Sequence, residues 1–370
     1  MEKIKIVHFV CGLKSGGVEQ VLYNYISKMD EEKYENYIVY QHEPVTVCYE
    51  KLASVCEKLI KIPSKSKRPF SNIIKSYKIL KNIKPDIAHA HMNQYNFFPL
   101  LAAKFAKIKI RINHSHCAIV NCNIIKKIYY KICQFFNKCF ATNYIACGDA
   151  AAKSIIKKKN VEVPILYNKI DDKKFEFNLD NRLEKRTLLN VKNEEVLIGC
   201  VGRLEKVKNH LRLIDIFKKV RDIKDNYKLI IVGEGSLFEE LSQKIRNYKL
   251  EGTVTIKPPV DDINKYYSAF DCFILPSLYE GLPLTSIEAQ FNGVPTILST
   301  TVDKSAKVSE CVDFYSLDMS DEEWANFIIG KTEKGRINNL SKELFEKYAL
   351  SESRNLLEKL YCDMMGEANE

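Results

Sequence analysis

A chain of 370 residues that is 46% hydrophobic is too long for one ordinary core, so two domains are expected. It has no run of 18 apolar residues and opens at once on a strand pattern, Lys5-Ile6-Val7-His8-Phe9-Val10, which argues against a spanning or exported protein and for a cytoplasmic one. Its net charge of +10 is lopsided, because residues 1–178 hold 30 Lys and Arg against 15 Asp and Glu while the remainder holds 27 against 32. A basic first half suits an anionic partner, and aromatic content around 124–140 favours peripheral contact with the inner face of the plasma membrane over nucleic acid.

In the first half, strands are predicted at 3–10, 36–41, 86–91, 109–114 and 142–147, with helices near 17–29, 70–83, 95–107, 122–138 and 148–158. The first strand-to-helix junction carries Gly12-Leu13-Lys14-Ser15-Gly16-Gly17-Val18-Glu19. Gly16 and Gly17 allow positive φ and expose backbone N–H groups at a helix start, which suits an anion or sugar-nucleotide contact, or else a tight turn without ligand. The stretch Lys61–Lys84, with Lys65, Lys67, Arg68, Lys75, Lys78 and Lys81, is the better membrane candidate, against a plain solvated surface. His89-Ala90-His91 and Arg111-Ile112-Asn113-His114-Ser115-His116 end two strands, and alternation turns the histidines of each pair the same way. Residues 124–138 space apolar groups helically among lysines. That pattern fits an interfacial helix or, as the favoured reading, a crossover helix whose apolar face packs on its sheet.

Residues 167–192, rich in Asp, Asn, Lys and Glu, read as the connection between an N-terminal domain, 1–178, and a C-terminal domain, 179–345. The second series predicts strands at 196–202, 227–233, 253–257, 271–275 and 294–298, with helices near 209–222, 236–248, 261–269 and 282–292. A last helix near 341–365 is expected, with 346–370 crossing back to the first domain. Such alternation predicts α/β domains, each a parallel sheet covered on both faces. Twelve cysteines without a CxxC pair read as buried thiols, and seven histidines without zinc spacing predict no metal site.

Three turns in the second half carry candidate chemistry. After the first strand, Val201-Gly202-Arg203 offers a planar fork for phosphate, and Lys208, before Asn209, offers a point charge. The next strand ends in Val232-Gly233-Glu234-Gly235. Pro276 must take the chain out of the sheet after Asp271–Leu275, and Glu280 then lies in a loop. Gly281 lets a ligand approach closely, Pro283 suits the first helical position, Thr285 and Ser286 fall in the first turn, and Glu288 lies one turn further. Two carboxylates at one helix start also admit a glycosidase acid and nucleophile.

The set Gly16-Gly17-Val18-Glu19, Val201-Gly202-Arg203, Lys208-Asn209, Val232-Gly233-Glu234-Gly235, Pro276-Ser277, Glu280-Gly281-Leu282-Pro283 and Glu288 closely resembles the family 4 retaining glycosyltransferases. The resemblance implies a GT-B fold, two Rossmann-like doubly wound domains facing across a cleft, with the nucleotide-sugar donor mainly on the second and the acceptor mainly on the first. It assigns Arg203 and Lys208 to the donor diphosphate, Glu280 to the transferred sugar and Glu288 to the ribose. Tyr279, Gly281, Leu282, Pro283 and Thr285 would line sugar and phosphates, Val260 would frame the base, and Glu234 is a further donor contact. A glycosidase pair is thereby set aside. The Arg111–His116 run resembles the RxxHSH segment of polysaccharide-assembly members, which brings His114 or His116, not separable from sequence, to the donor sugar or acceptor. The resemblance thus implies transfer of a hexose or N-acetylhexosamine from a UDP-linked donor to a glycan growing on a polyprenyl diphosphate, without metal, other cofactor or nucleic acid. Alternatives are a GT-B nucleotide-sugar epimerase and a GDP-mannose-dependent mannosyltransferase of the same family. The family's usual glycine-rich turn and acid are not recognisable in Ser299–Cys311, which leaves sugar selectivity open.

Overall fold

The computed structural model describes residues 2–13, 17–116, 124–155, 163–337, 340, 342–351 and 356–367. Gly16 lies outside them. The chain divides into two compact units, Met1–Asn168 with Ser353–Glu370, and Lys169–Glu352.

The first unit carries β1 (Ile4–Phe9), β2 (Tyr34–Tyr40), β3 (Lys58–Lys61), β4 (Ile87–Ala90), β5 (Ile110–Ser115) and β6 (Asn143–Ala146) in the order β3-β2-β1-β4-β5-β6. The second carries β7 (Val196–Val201), β8 (Tyr227–Val232), β9 (Val254–Lys257), β10 (Cys272–Leu275), β11 (Thr296–Ser299) and β12 (Val312–Tyr315) in the order β12-β11-β10-β7-β8-β9. Every pairing is parallel. Parallel strands need crossovers, and helices on both faces bury the strands twice over, which is why Leu229-Ile230-Ile231-Val232 is buried throughout and shows no apolar–polar alternation. Strand order reverses between β1 and β4 and again between β7 and β10. Loops leaving the carboxyl ends of those neighbours diverge to opposite faces and open the crevice where such sheets take ligands.

Several expectations change. Residues 167–192 are not a plain connection, because they form a helix at Leu179–Leu188 that Asn178 caps by accepting from the Asn181 backbone N–H at 2.8 Å. This helix has little apolar face. Arg182 and Arg186, one turn apart, reach the two Asp271 carboxylate oxygens at 2.5 and 2.9 Å, so charge and hydrogen bonds fix a segment whose composition reads as solvated. The expected last helix is two, Lys342–Tyr348 in the second unit and Leu356–Glu367 in the first. The latter is tied down through Glu358, which accepts from the Asp30 backbone N–H at 2.7 Å. Cysteines are mixed: Cys133, Cys147, Cys200, Cys272 and Cys311 are buried, whereas Cys139 and Cys362 are exposed. No described helix is long and apolar enough to cross a membrane.

Candidate active site

In the second unit, three of the predicted loops meet at the carboxyl ends of β7, β8 and β10. Gly202 donates to the Val232 carbonyl at 3.0 Å and Leu204 to the Glu234 carbonyl at 2.8 Å, which runs the loops after β7 and β8 side by side. A Cβ at Gly233 would lie 1.9 Å from the Gly202 oxygen, so this crossing requires glycine. The chain then makes a short turn, Lys206–Lys208, ended by Asn209 at φ 59°, before the helix His210–Ile223. Asn209 Nδ2 donates to the Pro276 carbonyl at 3.1 Å and Leu278 N–H to the Val207 carbonyl at 2.8 Å, joining this turn to the loop after β10.

That junction sets Lys208 against Glu280. Their side chains form an ion pair, with 12% and 18% of their surface accessible, and Ser277 Oγ lies 3.4 Å from the same Glu280 oxygen. Gly202 leaves room for the lysine stem, since a Cβ there would meet Lys208 Cε at 3.3 Å. The loop is braced from β11: Ser299 and Thr301 hydroxyls donate to the Ser277 carbonyl at 2.5 and 2.6 Å, and Asp303 N–H to the Glu280 carbonyl at 3.0 Å. The segment that lacks the usual glycine-rich turn therefore serves as a buttress.

Pro283 caps the helix Leu284–Phe291, one position earlier than expected. Thr285 sits in the first turn with a buried Oγ1 that has no hydrogen-bond partner, at the end where the helix dipole favours negative charge. Glu288 is buried, with its Oε2 accepting from Tyr267 OH at 2.8 Å; the same hydroxyl lies 3.0 Å from the Thr285 carbonyl. Burial first, and Glu288 second, hold the Tyr267 phenol well above its ordinary pKa, so it stays a donor. Sequence reasoning missed Tyr267, whose partner is 21 residues away on another helix. Arg203, Glu234 and Tyr279 are exposed, while Gly281, Leu282 and Val260 are half-buried, and a Cβ at Gly281 would touch nothing within 4 Å. These residues lie in the loops that follow β7, β8, β9 and β10.

In the first unit, Gly17 is exposed at the start of the helix Gly17–Ile26. β1, β4 and β5 bring five histidines together, His8 joining the four that the sequence places at two strand ends. Spacing gives no sign of His8, which comes from a third parallel strand. Asn36 Oδ1 can only accept, so His8 Nε2 donates to it at 3.1 Å. His8 Nδ1 must then accept from His91 Nε2 at 3.2 Å, and His91 Nδ1 from His116 Nε2 at 2.9 Å. For neutral rings this leaves the proton off His116 Nδ1. A second line joins Tyr361 OH to His89 Nδ1 at 2.7 Å and His89 Nε2 to His114 Nδ1 at 3.1 Å, ending on His114 Nε2, which has no partner. Burial lowers His8 and His116 to about 4, opposed by the acceptor side chains of Asn36 and Asn168, and lowers His89, His91 and His114 well below the ordinary value. Neutral imidazoles are the metal-binding form. His8, His89 and His91, and His91, His114 and His116, bring ring nitrogens within 4.8 Å, close enough to share an ion, although the same lone pairs serve the ring-to-ring hydrogen bonds. His114 and His116 stack at 4.0 Å between centroids; His114 is buried and His116 half-buried at the cluster's edge.

Residues 15–174 match the family model described as Glycosyltransferase Family 4, and residues 181–308 match that of Glycosyl transferases group 1. The chain is 28% identical over 341 residues to the glycosyltransferase EpsF of Bacillus subtilis, covering 90% of this chain and 88% of that one. It is 24% identical over 383 residues, 98% of each chain, to an Escherichia coli UDP-Gal:alpha-D-GlcNAc-diphosphoundecaprenol alpha-1,3-galactosyltransferase. Among solved structures, Anabaena HepE in complex with UDP and glucose superposes with a TM-score of 0.78 at 18% identity, over 97% of this chain and 100% of that one.

Proposed function

Because the chain belongs to the family 4 glycosyltransferases and has their GT-B fold, we propose that it moves a hexose or N-acetylhexosamine from a UDP-linked donor to a growing polysaccharide carried on a polyprenyl diphosphate, with retention of the anomeric configuration. The observation that carries this reading is the Lys208–Glu280 pair at the β7–β10 switch point, beside the helix N-terminus that presents Thr285. Uridine donors are favoured because the Escherichia coli relative is described as using one and the Anabaena structure contains UDP. The lipid-linked acceptor has its support in the first of these.

Breaking the bond between the sugar and the diphosphate places negative charge on the leaving phosphate. The Lys208 ammonium, the Arg203 guanidinium and the N-terminal turn with Thr285 would stabilise that charge without a metal. Glu280 would accept hydrogen bonds from the sugar hydroxyls, its own charge balanced by Lys208. Glu288, oriented by Tyr267, would hold the ribose. The acceptor hydroxyl then attacks the anomeric carbon on the face from which the diphosphate departs, and its proton passes to the leaving phosphate oxygen. An ordered site of this kind supplies positioning and charge in place of a covalent nucleophile.

Glu280→Gln tests the assignment. Transfer is expected to fall at least about 100-fold, the order lost with a single charge-stabilising group, while circular dichroism is unchanged. A variant that transfers at the wild-type rate contradicts the site. Release of nucleoside diphosphate should also require the acceptor glycan; release without it would favour an epimerase.

A further inference from the structure

The helix Ile124–Phe140 does the reverse of what a crossover helix does. Its sequence pattern favours an apolar face packed on the sheet, but Ile124 and Ile125 are 75% and 78% exposed, Phe135 is 63% exposed, and Ile128, Tyr129, Ile132 and Phe136 are exposed with them. At about 100° per residue these seven side chains fall within one arc of about 140°. The face turned inward is polar and small. Cys133 and Asn137 are buried there, Asn137 Nδ2 donates to the Gln94 carbonyl at 3.2 Å, and Gln134 Nε2 donates to the Ser154 carbonyl at 2.5 Å. The helix is thus anchored by hydrogen bonds through one side, and by Tyr129 and Phe136 against Tyr95 and Phe97 at the stripe's edge, while the rest of its apolar stripe faces solvent.

Charge narrows the choice of partner. Lys127, Lys131 and Lys138 are exposed along one edge of the stripe. This helix, its neighbour Phe97–Phe105 and the helix Pro69–Ile83 that packs on that neighbour together contain eight lysines and no Asp or Glu, and Phe70, Ile74 and Phe105 are also exposed. A second copy docking by two-fold symmetry would set this lysine edge against itself. A nucleic acid would leave the isoleucines in water. An anionic bilayer satisfies both parts at once: apolar groups enter the acyl boundary while lysines meet the headgroups.

We infer that the exposed face of Ile124–Phe140 is the surface by which this protein lies on an anionic lipid bilayer. Its use rests on the proposed lipid-linked acceptor, since the reacting end of such an acceptor stays near the bilayer; its physical basis is the helix alone. Neither the stripe nor its lysines belong to the donor site.

The test is co-sedimentation of the whole protein with vesicles of phosphatidylcholine, with and without about 30 mol % phosphatidylglycerol. Wild type should sediment with the anionic vesicles only, and higher salt should weaken this. Ile125→Glu with Phe135→Glu, and separately Lys127→Gln with Lys131→Gln, should each reduce binding at least tenfold while leaving intact any rise in melting temperature that a UDP-sugar gives wild type. Absence of wild-type binding, equal binding to neutral vesicles, or a wild-type dimer that Ile125→Glu with Phe135→Glu converts to monomer would overturn the inference. If vesicles bind but no nucleotide-sugar stabilises the protein, the donor reading fails and the membrane surface stands.

Discussion

Gly233 and Gly281 are both glycines in loops at the carboxyl edge of one sheet, yet their surroundings demand different things. Gly233→Ala drives a Cβ to 1.9 Å from the Gly202 carbonyl, a backbone atom that cannot swing aside, so we expect a loss of about 3 kcal/mol or more in chemical denaturation. Gly281→Ala meets nothing within 4 Å and should leave the denaturation midpoint unchanged, while obstructing a donor if one approaches there. Thr285 gives a sharper separation of folding from binding. Its Oγ1 is buried without a partner, so Thr285→Val should hold or raise stability and should weaken UDP-sugar binding about tenfold if that hydroxyl meets the diphosphate. Isothermal titration beside a denaturation curve reads both. At this scale the sequence is informative wherever chemistry is local: the spacing of Glu280 and Glu288 about a helix start can be read directly. Tyr267 cannot, because a hydroxyl 21 residues from its carboxylate partner leaves no spacing signal.

Elements are legible where apolar period alone defines them and obscure where polar contacts do. The central strands of both sheets follow from their continuous apolar runs. The edge strand Lys58–Lys61 begins and ends on exposed lysines, and the helix Leu179–Leu188 is fastened by Arg182 and Arg186 to Asp271, so neither has the apolar pattern that reveals an element. The helix Asp321–Thr332 is absent from the predicted elements although its signal is present: Ser320 accepts from the Glu323 backbone and Glu323 reaches back to Ser320, a capping box readable as Ser-Asp-Glu-Glu. The ends of β1, β4 and β5 carry a pH-dependent element. His8 and His116 take up protons at about pH 4 when folded, against 6.5 as free side chains. The unfolded chain therefore binds more protons below pH 6.5, and stability falls as pH drops from 6.5 toward 4, by about 1.4 kcal/mol per pH unit for each of these groups. Above 6.5 they contribute no slope. Amide exchange in β1, β4 and β5 should be flat in protection free energy from pH 8 to 6.5 and lose protection between 6.5 and 5, above the carboxylate range; constant protection to pH 5 would mean that the histidines are not held neutral.

The whole molecule repeats one topology twice, and the repeat assigns different chemistry to the same position in each sheet. Where β7 and β10 diverge, a lysine and two acids flank a helix N-terminus; where β1 and β4 diverge, neutral imidazoles collect. Charge follows the same division, with the excess of lysine in the first half and of carboxylate in the second. Composition therefore points to the half that carries the proposed anionic-surface contact, though the residues that expose apolar surface beside the lysines, in Ile124–Phe140, read as core from sequence because periodicity gives the width of a face and not which way it points. The proposed function requires the second unit to hold a nucleotide-sugar through Lys208 and Arg203. A ligand that binds only the native state stabilises it, by about 2.7 kcal/mol at 100 times its dissociation constant. The most direct measurement is the melting temperature in a panel of UDP-, GDP- and ADP-sugars, for wild type and for Arg203→Ala with Lys208→Ala. A UDP-sugar should raise the wild-type value by several degrees and leave the double variant unmoved; no shift from any nucleotide-sugar, or an equal shift in the double variant, would contradict it.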